Sequence, residues 1–377
     1  MARRRKQPQL TLASLHLSNA LPFDLVVEIL CRLSVKHLLQ LRCVCKSWNS
    51  LIFRDFEFAK KQLRLSTSSH HLILSSRQLL LSHCPISSIF TSTSTTSTTS
   101  VKQFGFSKRS ILNKIRYDNR ASTCDGILCY KIVDSSALVC NPFIGKFKKL
   151  PLLKFPLQIF TSYTLAYDRF TNSYKVIAVN HNSRKIEVNV HTLGTHYWRR
   201  ISDFPGSDLT PKSRPGIFVN DSVNWLTYDL ACKGALIVSL NLEKESYQKH
   251  SLPVFDVRFP ISYSSILGIL RGCLSLLSSR DKFCDVRIMK EYGNENSWIK
   301  LLSVPHMKLP RVFGYTNVLY ISEDGQVLME FFKEWEGFNL VVYDSINNIF
   351  KNPKFQNNIH CKMVAQEVYV ESLIYPL

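Results

Sequence analysis

The side chains that most often carry out chemistry are scattered along this chain and do not form a recognisable catalytic pattern. His191 and His196 flank a predicted hairpin turn, with no carboxylate at a spacing typical of a catalytic group. Asp168 and Asp344 each follow a tyrosine at a predicted strand end, which favours capping of a turn over acid catalysis. The patterns G-x-S-x-G, H-E-x-x-H and the P-loop do not occur in the sequence. The sequence therefore predicts no catalytic residues.

The cysteines indicate neither a metal site nor a disulfide framework. There are 11 of them, an odd number, and none forms a C-x-x-C pair. Cys43 and Cys45 stand too close together for the usual zinc knuckle, and no second pair of ligands follows. We therefore expect reduced thiols in a protein of the cytoplasm, the nucleus or both, with no metal, no cofactor and no membrane partner.

The positive charge raises the question of nucleic-acid binding. The formal net charge is +20, and clustered Lys and Arg would favour contact with phosphates. Beyond Arg3 to Lys6, however, the basic residues come in short groups such as Lys60-Lys61, Lys148-Lys149 and Arg199-Arg200. This distribution favours solvated surfaces. Nucleic acid is therefore not expected as a partner, and a basic nuclear nucleic-acid-binding protein is kept as the alternative hypothesis.

The strongest helical pattern lies between Leu21 and Ile52. Apolar residues at helical spacing predict a first helix, with Pro22 and Asp24 at positions that suit a first helical turn. Ser34 can cap a second helix that runs to about Arg42, and a third helix follows. About forty residues rarely form a stable core alone, so we expect part of this apolar surface to meet a partner.

The residue order in this stretch, L-P-x-D-L-x-x-E-I-L-x-R-L-x-V-K-x-L-L-x-x-R-C-V-C-K-S-W-x-S-L-I, closely resembles the F-box of plant F-box proteins. That resemblance implies docking on a Skp-type linker protein, which connects to a cullin scaffold and a ubiquitin-conjugating enzyme. Ser34 stands where relatives usually carry proline, and serine is a competent cap. The motif places the following residues at linker-binding positions: Leu21, Pro22, Leu25, Ile29, Leu30, Leu33, Val35, Leu38, Leu39, Val44, Cys45, Trp48, Leu51 and Ile52.

From Cys124 onward the chain has the composition of β-strands and shows an internal repeat. The segments GKFKKLP, THYWRRISDFP, ESYQKHSLP, NSWIKLLSVP and NIFKNP recur about every fifty residues, each with an aromatic residue followed by proline. A second series of turn-like triplets, CDG, TNS, NDS, RGC and EDG, precedes these aromatics. Units of about four strands at this period are typical of a β-propeller. We predict that the aromatics pack between blades: Phe147, Trp198, Tyr247, Trp298 and Phe350.

The segments CDGILC, NPFIGKFKKLP, LAYDRFTNSYKV, GIFVNDSVNWL and YVESLIYPL resemble the F-box-associated interaction domain of plant F-box proteins. Kelch propellers have a similar period, but this chain has only 13 glycines and lacks the kelch Gly-Gly. The resemblance implies a substrate-recruiting domain in an adaptor of a Skp-cullin-F-box ubiquitin ligase. Val368 to Ile374 are expected to close the ring with N-terminal strands, and the blade number stays open.

The predicted fold class is α+β, with a small three-helix F-box followed by a mainly antiparallel, propeller-like domain. We expect a basic disordered segment at 1–17, the F-box at 18–60, connecting strands at 61–122 with a flexible Ser/Thr loop at 91–100, and the repeat domain at 123–377. The irregular turns Asp203 to Ser213 and Glu291 to Asn296 are candidate target-binding loops. The rival hypothesis of a propeller enzyme requires convergent Asp, Glu or His side chains on the axis.

Overall fold

The computed structural model divides the chain into two compact units, Met1–Thr67 and Ser68–Leu377. It describes residues 21–65, 70–76, 81–91, 99–103, 120–132, 136–153, 161–182, 185–205, 209–211, 214–229, 234–252, 265–280, 282–307, 312–334, 336–355 and 363–376. The predicted basic segment at 1–17 lies outside these residues. No helix in the described part of the chain has the length and apolarity needed to cross a membrane.

Residues 21–65 of the first unit contain four helices, one more than the sequence analysis predicted. The helices are α1 (Phe23–Leu30), α2 (Val35–Leu41), α3 (Lys46–Arg54) and α4 (Phe56–Leu65). Ser34 caps α2 as predicted, since its side chain accepts a hydrogen bond from the backbone N–H of His37. The sequence analysis ended the F-box at residue 60, and α4 continues to Leu65.

Two polar contacts explain why α4 forms. The Asp55 Oδ1 accepts a hydrogen bond from the backbone N–H of Phe58 at 2.8 Å, which satisfies a donor in the first turn of the helix. The side chain of Gln62 is fully buried and donates to the carbonyl oxygen of Leu33 at 3.1 Å. The helix is therefore capped locally and tied to the segment between α1 and α2.

The second unit is a six-bladed antiparallel β-propeller, as the sequence predicted in outline. Blade I comprises β4 (Ser122–Cys124), β5 (Ile127–Lys131), β6 (Ala137–Asn141) and β7 (Lys146–Lys149). Blade II comprises β8 (Thr161–Asp168), β9 (Ser173–Asn182), β10 (Lys185–Thr192) and β11 (Arg199–Arg200). Blade III comprises β12 (Leu209–Pro211), β13 (Ile217–Val219), β14 (Ser222–Asp229), β15 (Gly234–Asn241) and β16 (Ser246–Ser251). Blade IV comprises β17 (Ile266–Leu270), β18 (Cys273–Ser279), β19 (Phe283–Met289) and β20 (Trp298–Pro305). Blade V comprises β21 (Val312–Ile321), β22 (Gln326–Lys333), β23 (Gly337–Asp344) and β24 (Ile349–Lys351).

Blade VI closes the ring by combining the two ends of the unit. Its strands are β25 (Met363–Val370), β1 (His70–Ser76), β2 (Leu81–Pro85) and β3 (Lys102–Gln103), with a short helix α5 (Ile86–Thr91) after β2. The last strand β25 runs antiparallel to β1, so that Val368 lies opposite Leu72. The innermost strands contact one another in sequence, and β25 contacts β4.

This closure changes the interpretation of residues 61–122. The sequence analysis assigned them to connecting strands and expected Val368 to Ile374 to close the ring with N-terminal strands. Residues 61–65 belong to α4, and β1 to β3 form three strands of blade VI. The pairing of β25 with β1 confirms the predicted closure. Of the predicted Ser/Thr loop, Thr91 ends α5, and Thr99 is buried and bridges to Phe355. Residues 92–98 of that loop lie outside the described residues.

The predicted turn triplets connect the innermost strand of a blade to its second strand. Asp125 and Gly126 both have positive φ, at 50° and 79°, between β4 and β5. Arg271 and Gly272 repeat this at 52° and 74° between β17 and β18. Positive φ at both central residues matches the twist of a two-residue hairpin turn. The same turn also occurs in blade III, where Asn220 and Asp221 have φ of 49° and 59°. Blades II and V make this connection with four-residue turns, so the repeat in the sequence marks the same place in each blade but two lengths of turn.

The apolar core of the propeller lies between blades. One cluster joins Leu226 and Ile237 of blade III to Leu276 of blade IV. Another joins Ile73 of blade VI to Leu128 of blade I. Strands such as β5 and β6 are buried along their whole length, because both faces of each sheet are covered by neighbouring blades.

Candidate docking face and axial cavity

The helical unit carries an exposed apolar surface that its own helices leave uncovered. Five large side chains are at least half exposed, and we call them the docking face: Leu21, Phe23, Leu25, Ile29 and Val44, at 51%, 50%, 50%, 54% and 62%. Full burial of one such side chain is worth roughly 1.5 to 3 kcal/mol. Covering these half-exposed groups would therefore contribute on the order of 5 kcal/mol. An apolar surface of this kind is typical of an interaction site.

The structure separates the fourteen residues that the motif assigned to linker binding. Leu21, Pro22, Leu25, Ile29, Val44 and Cys45 are exposed, and Leu33, Leu39 and Trp48 are half-buried. Leu30, Val35, Leu38, Leu51 and Ile52 are buried. These five side chains are not available for direct contact in this structure. Sequence reasoning also missed Phe23, which lies at the start of α1 outside the motif positions but is exposed.

Polar contacts beside the docking face hold its helices together. Glu28 of α1 forms an ion pair with Lys61 of α4. The hydrogen bond from Lys61 holds the pKa of the Glu28 carboxyl below its usual range. At the start of α3, the Cys45 thiol lies 3.4 Å from the hydroxyl of Ser47, and this contact lowers the pKa of the thiol. The ion pair therefore links α1, which carries part of the docking face, to α4, and the Cys45 contact lies within the start of α3.

The propeller contains a cavity of about 600 Å³, lined by residues of the innermost strands β4, β13, β17, β21 and β25. We call it the axial cavity. Much of its lining is apolar, for example Ile266, Leu267, Val318 and Tyr320. The volume lies within the range of small-ligand pockets, roughly 300 to 1,000 Å³.

Charged side chains meet at the end of the axial cavity where β4 and β13 begin. Arg120 precedes β4 and forms an ion pair with the fully buried Glu330 of β22. Its other terminal nitrogen lies 3.9 Å from a carboxylate oxygen of Glu367 on β25. Glu330 also accepts a hydrogen bond from the hydroxyl of Thr316 at 2.7 Å. Two of these groups, Arg120 and Glu367, line the cavity together with Arg214.

Arg214 is less well satisfied than Arg120. Within the described part of the chain, its guanidinium has one hydrogen-bond acceptor, the carbonyl oxygen of Thr316 at 3.1 Å. Burial and the nearby positive charge of Arg120 lower the pKa of Arg214 to about 10. Burial raises the pKa of the Glu367 carboxyl to about 7, although both arginines act in the opposite direction. Near neutral pH the two arginines are therefore only partly balanced by the carboxylates of Glu330 and Glu367.

Four of the five predicted blade-packing aromatics lie against clusters shared by neighbouring blades, and one of them, Tyr247, packs on the cluster of blades II and III. Phe147 packs on the cluster of blades VI and I, and Phe350 packs on that of blades IV and V. Trp298 is buried in the cluster of blades III and IV. Their regular spacing in the sequence corresponds to equivalent places on the last strand of each blade.

Trp198 and Tyr247 form hydrogen bonds between blades. The indole nitrogen of Trp198 donates to the carbonyl oxygen of Pro151 in the preceding blade, at 2.8 Å. The hydroxyl of Tyr247 donates to the carbonyl oxygen of Ser202 at 3.1 Å. Tyr315, which the sequence analysis did not single out, donates in the same way to Pro305 at 2.7 Å. Residues at or just after the end of the last strand of a blade thus provide acceptors for aromatics of the next blade.

The residues weighed as catalytic candidates have structural contacts. Asp168 and Asp344 accept hydrogen bonds from backbone N–H groups two and three residues ahead, which is the turn capping predicted for them. His191 is buried and its Nδ1 lies 2.9 Å from the carbonyl oxygen of Tyr197, while His196 is exposed. Among the described residues no group of three or more His, Cys, Asp or Glu side chains is arranged to hold a metal.

The two turns proposed as target-binding loops differ. Residues 206–208 and 212–213 of the first lie outside the described residues. In the second, the Asn294 side chain donates to the Glu291 carboxylate at 2.8 Å, and a short 3₁₀ helix follows at Glu295–Ser297. Glu295 accepts from the backbone N–H of Ser251 in blade III at 2.6 Å. This turn is therefore bonded internally and to its neighbouring blade.

Comparison with known proteins identifies both units. Residues 19–56 match the family described as F-box domain, and residues 77–376 match the family described as F-box associated beta propeller domain. An F-box/kelch-repeat protein of Arabidopsis thaliana is 29% identical over 371 residues, covering 94% of this chain and 96% of the relative. The F-box protein CPR1 of Arabidopsis thaliana is 26% identical over 341 residues, covering 82% of this chain and 79% of the relative.

Proposed function

Because the chain belongs to the family of proteins that join an F-box to an F-box-associated β-propeller, we propose that it is a substrate-recognition subunit of a Skp-cullin-F-box ubiquitin ligase. In this role the helical unit binds a Skp-type linker, and the propeller binds a target protein for ubiquitination and degradation. The chain contributes no catalytic group and acts by raising the concentration of target lysines near the ubiquitin thioester.

The docking face is the observation that carries this proposal. It occurs within the residues that match the F-box, and it presents apolar side chains that are at least half exposed in the described unit. Burial of these side chains against a linker would remove their unfavourable contact with water. The buried residues of the motif, such as Leu30 and Leu38, support the interface by fixing the helices that carry it.

A charge placed on the docking face should abolish linker binding without unfolding the helices. Ile29→Asp introduces a carboxylate at a side chain that is 54% exposed, so that the free protein tolerates it. In the complex the same carboxylate would be buried without a partner, at a cost of several kcal/mol. A loss of roughly 100-fold or more in affinity for a purified Skp-type linker is expected.

The controls use residues of the same type. Ile346→Asp makes the same change at a side chain of the propeller that is 77% exposed, and it should bind the linker like wild type. Leu30→Asp is a poor probe of the interface, because Leu30 is 2% exposed and the change would unfold the helical unit. If folded Ile29→Asp, checked by circular dichroism, binds as tightly as wild type, the docking face is not the linker interface.

Target recruitment is assigned to the propeller because the helical unit is committed to the linker. We place the protein in the nucleus, the cytoplasm or both, where the cullin ligases act on soluble targets. Mass spectrometry of proteins that accumulate when Ile29→Asp replaces the wild type in cells tests this part. Targets should co-purify with both forms but be ubiquitinated only with wild type, and targets that turn over equally in both would contradict the degradation role.

A further inference from the structure

The axial cavity contains a recognition element that the adaptor role does not use. Arg214 lines the cavity, is mostly shielded from solvent, and has one hydrogen-bond acceptor among the described residues, a backbone carbonyl. A guanidinium has five N–H donors, and a buried one is normally paired with a carboxylate or phosphate. Most of the donors of Arg214 are therefore available to a ligand.

The neighbouring charges favour an anion at this place. The positive charge of Arg120 lies close enough to Arg214 to repel it. The carboxyl groups of Glu330 and Glu367 both lie beside Arg120. Glu330 is fully buried, is not part of the cavity lining, and also accepts a hydrogen bond from the hydroxyl of Thr316. Glu367 lines the cavity and loses much of its charge near neutral pH because it is buried. An incoming carboxylate would supply the missing charge and accept a bidentate pair of hydrogen bonds.

The remainder of the lining selects for an apolar body attached to the anion. Ile266 and Leu267 of β17 line the cavity beside Val318 and Tyr320 of β21. Contact of these apolar side chains with a hydrocarbon or aromatic group of a ligand is favourable, because it removes both surfaces from water. The cavity volume of about 600 Å³ admits a ligand of up to a few tens of heavy atoms but not a folded domain.

We propose that the axial cavity binds a carboxylate attached to an apolar or aromatic group, with the carboxylate held by Arg214 and Arg120 and the apolar group against β17 and β21. The carboxylate belongs either to a small organic acid or to the C-terminal residue of a peptide. This binding is a property of the propeller and holds whether or not the helical unit docks on a linker.

Isothermal titration calorimetry on the full chain tests the proposal with matched pairs of probes. The small acid is 3-phenylpropionate, and its neutral partner is 3-phenylpropionamide. The peptide is acetyl-Gly-Gly-Phe with a free C-terminal carboxylate, and its partner is the C-terminal amide. We expect the acids to bind at millimolar or lower concentration and each amide to bind at least about tenfold more weakly. Binding of the small acid alone assigns the cavity to organic acids, and tighter binding of the peptide acid assigns it to chain ends.

Variants locate the binding site. Arg214→Met should reduce the affinity for the acid to that of the amide, while Arg214→Lys, which keeps the charge but loses the bidentate geometry, should give an intermediate value. Arg271→Met removes an arginine at the other end of the same cavity and should leave the affinity unchanged. Thermal unfolding near that of wild type shows that each variant is folded. Failure of both acids to bind, equal binding of acid and amide, or unchanged binding by Arg214→Met would each overturn the proposal.

Discussion

Replacing Asn141 should open the closure of the propeller. Asn141 is fully buried at the end of β6, and its side chain has two roles. Its Oδ1 accepts a hydrogen bond from the backbone N–H of Phe143 at 3.0 Å and so caps the turn to β7. Its Nδ2 donates to the carbonyl oxygens of Ser372 and Ile374, both at 2.9 Å. Asn141 therefore holds the C-terminal segment that follows β25 against blade I.

The expected loss of folding stability follows from the hydrogen bonds of the Asn141 side chain. Asn141→Ala leaves two buried carbonyl oxygens without their donor, at about 1 to 3 kcal/mol each, and removes a turn cap worth about 1 kcal/mol. We expect a total loss in the free energy of unfolding of about 3 to 7 kcal/mol. For a unit of this size, that loss lowers the Tm by roughly 5 to 10 °C.

Asn241→Ala provides the matched control. Asn241 ends β15 at the equivalent place in blade III, and its Oδ1 accepts from the backbone N–H of Lys244 at 2.8 Å. It caps its own turn without holding a distant segment, so its replacement should cost only about 1 kcal/mol. The assay is thermal unfolding followed by near-ultraviolet circular dichroism, with hydrogen exchange of residues 363–376. Equal Tm values for the two variants, with unchanged exchange in this segment, would refute the assigned role of Asn141.

Three further predictions concern single positions. Gly126→Ala should be destabilising by about 1 to 3 kcal/mol more than Gly272→Ala. Both glycines have positive φ, but only at Gly126 would an added Cβ lie 2.4 Å from the carbonyl oxygen of Val370. Urea unfolding of the two variants measures the difference. Because burial raises the pKa of Glu367 from 4.5 to about 7, the folded state retains a proton and stability falls as pH rises from about 5 to about 7. In wild type this titration lowers the free energy of unfolding by on the order of 3 kcal/mol over that interval. Glu367→Gln cannot titrate, so its Tm should depend less steeply on pH than that of wild type. Ser34→Ala should destabilise the helical unit by about 1 kcal/mol through loss of the α2 cap, and an unchanged far-ultraviolet melting curve would argue against that cap.

The sequence predicted those parts of the fold that leave a local or periodic signal. The hairpin turns appear in it because positive φ at Asp125 and Gly126 restricts the residue types. Trp298 and Phe350 appear because blades I, III, IV and V each place an aromatic on the last strand. The fourth helix left a weaker signal, since its apolar pattern is short and its cap, Asp55, was not weighed as a helix start.

The axial site could not be predicted because its residues come from separate blades. Arg120 precedes β4, Arg214 precedes β13, Glu330 lies on β22 and Glu367 lies on β25. No spacing in the sequence relates these positions, and only ring closure through β25 and β1 brings the last of them beside the first. The same closure explains why strands were predicted at 61–122 but not assigned to a blade, since β1 to β3 complete a blade only with a strand from the other end of the chain.

The axial carboxylates bear on the rival hypothesis of a propeller enzyme. General acid-base catalysis requires carboxyl groups that reach a substrate and exchange protons with it. Glu330 is fully buried and engaged by Arg120 and Thr316, and Asp125 at the other end accepts the hydroxyl of Tyr174 at 2.8 Å. Glu367 alone has a pKa near 7, and it faces two arginines. This arrangement favours holding an anion over transferring a proton.

The basic charge bears in a similar way on the nucleic-acid hypothesis. Phosphate binding needs Lys and Arg side chains that are free to face the backbone of the nucleic acid. Between blades II and III, Arg169 pairs with Asp221 at 2.9 Å, and Arg199 pairs with Glu245 through both terminal nitrogens. The hydrogen bond and charge of Glu245 raise the pKa of Arg199 further. These arginines therefore link neighbouring blades, which accounts for part of the positive charge without a nucleic-acid surface. The docking face is left as the best-supported interaction site on the helical unit.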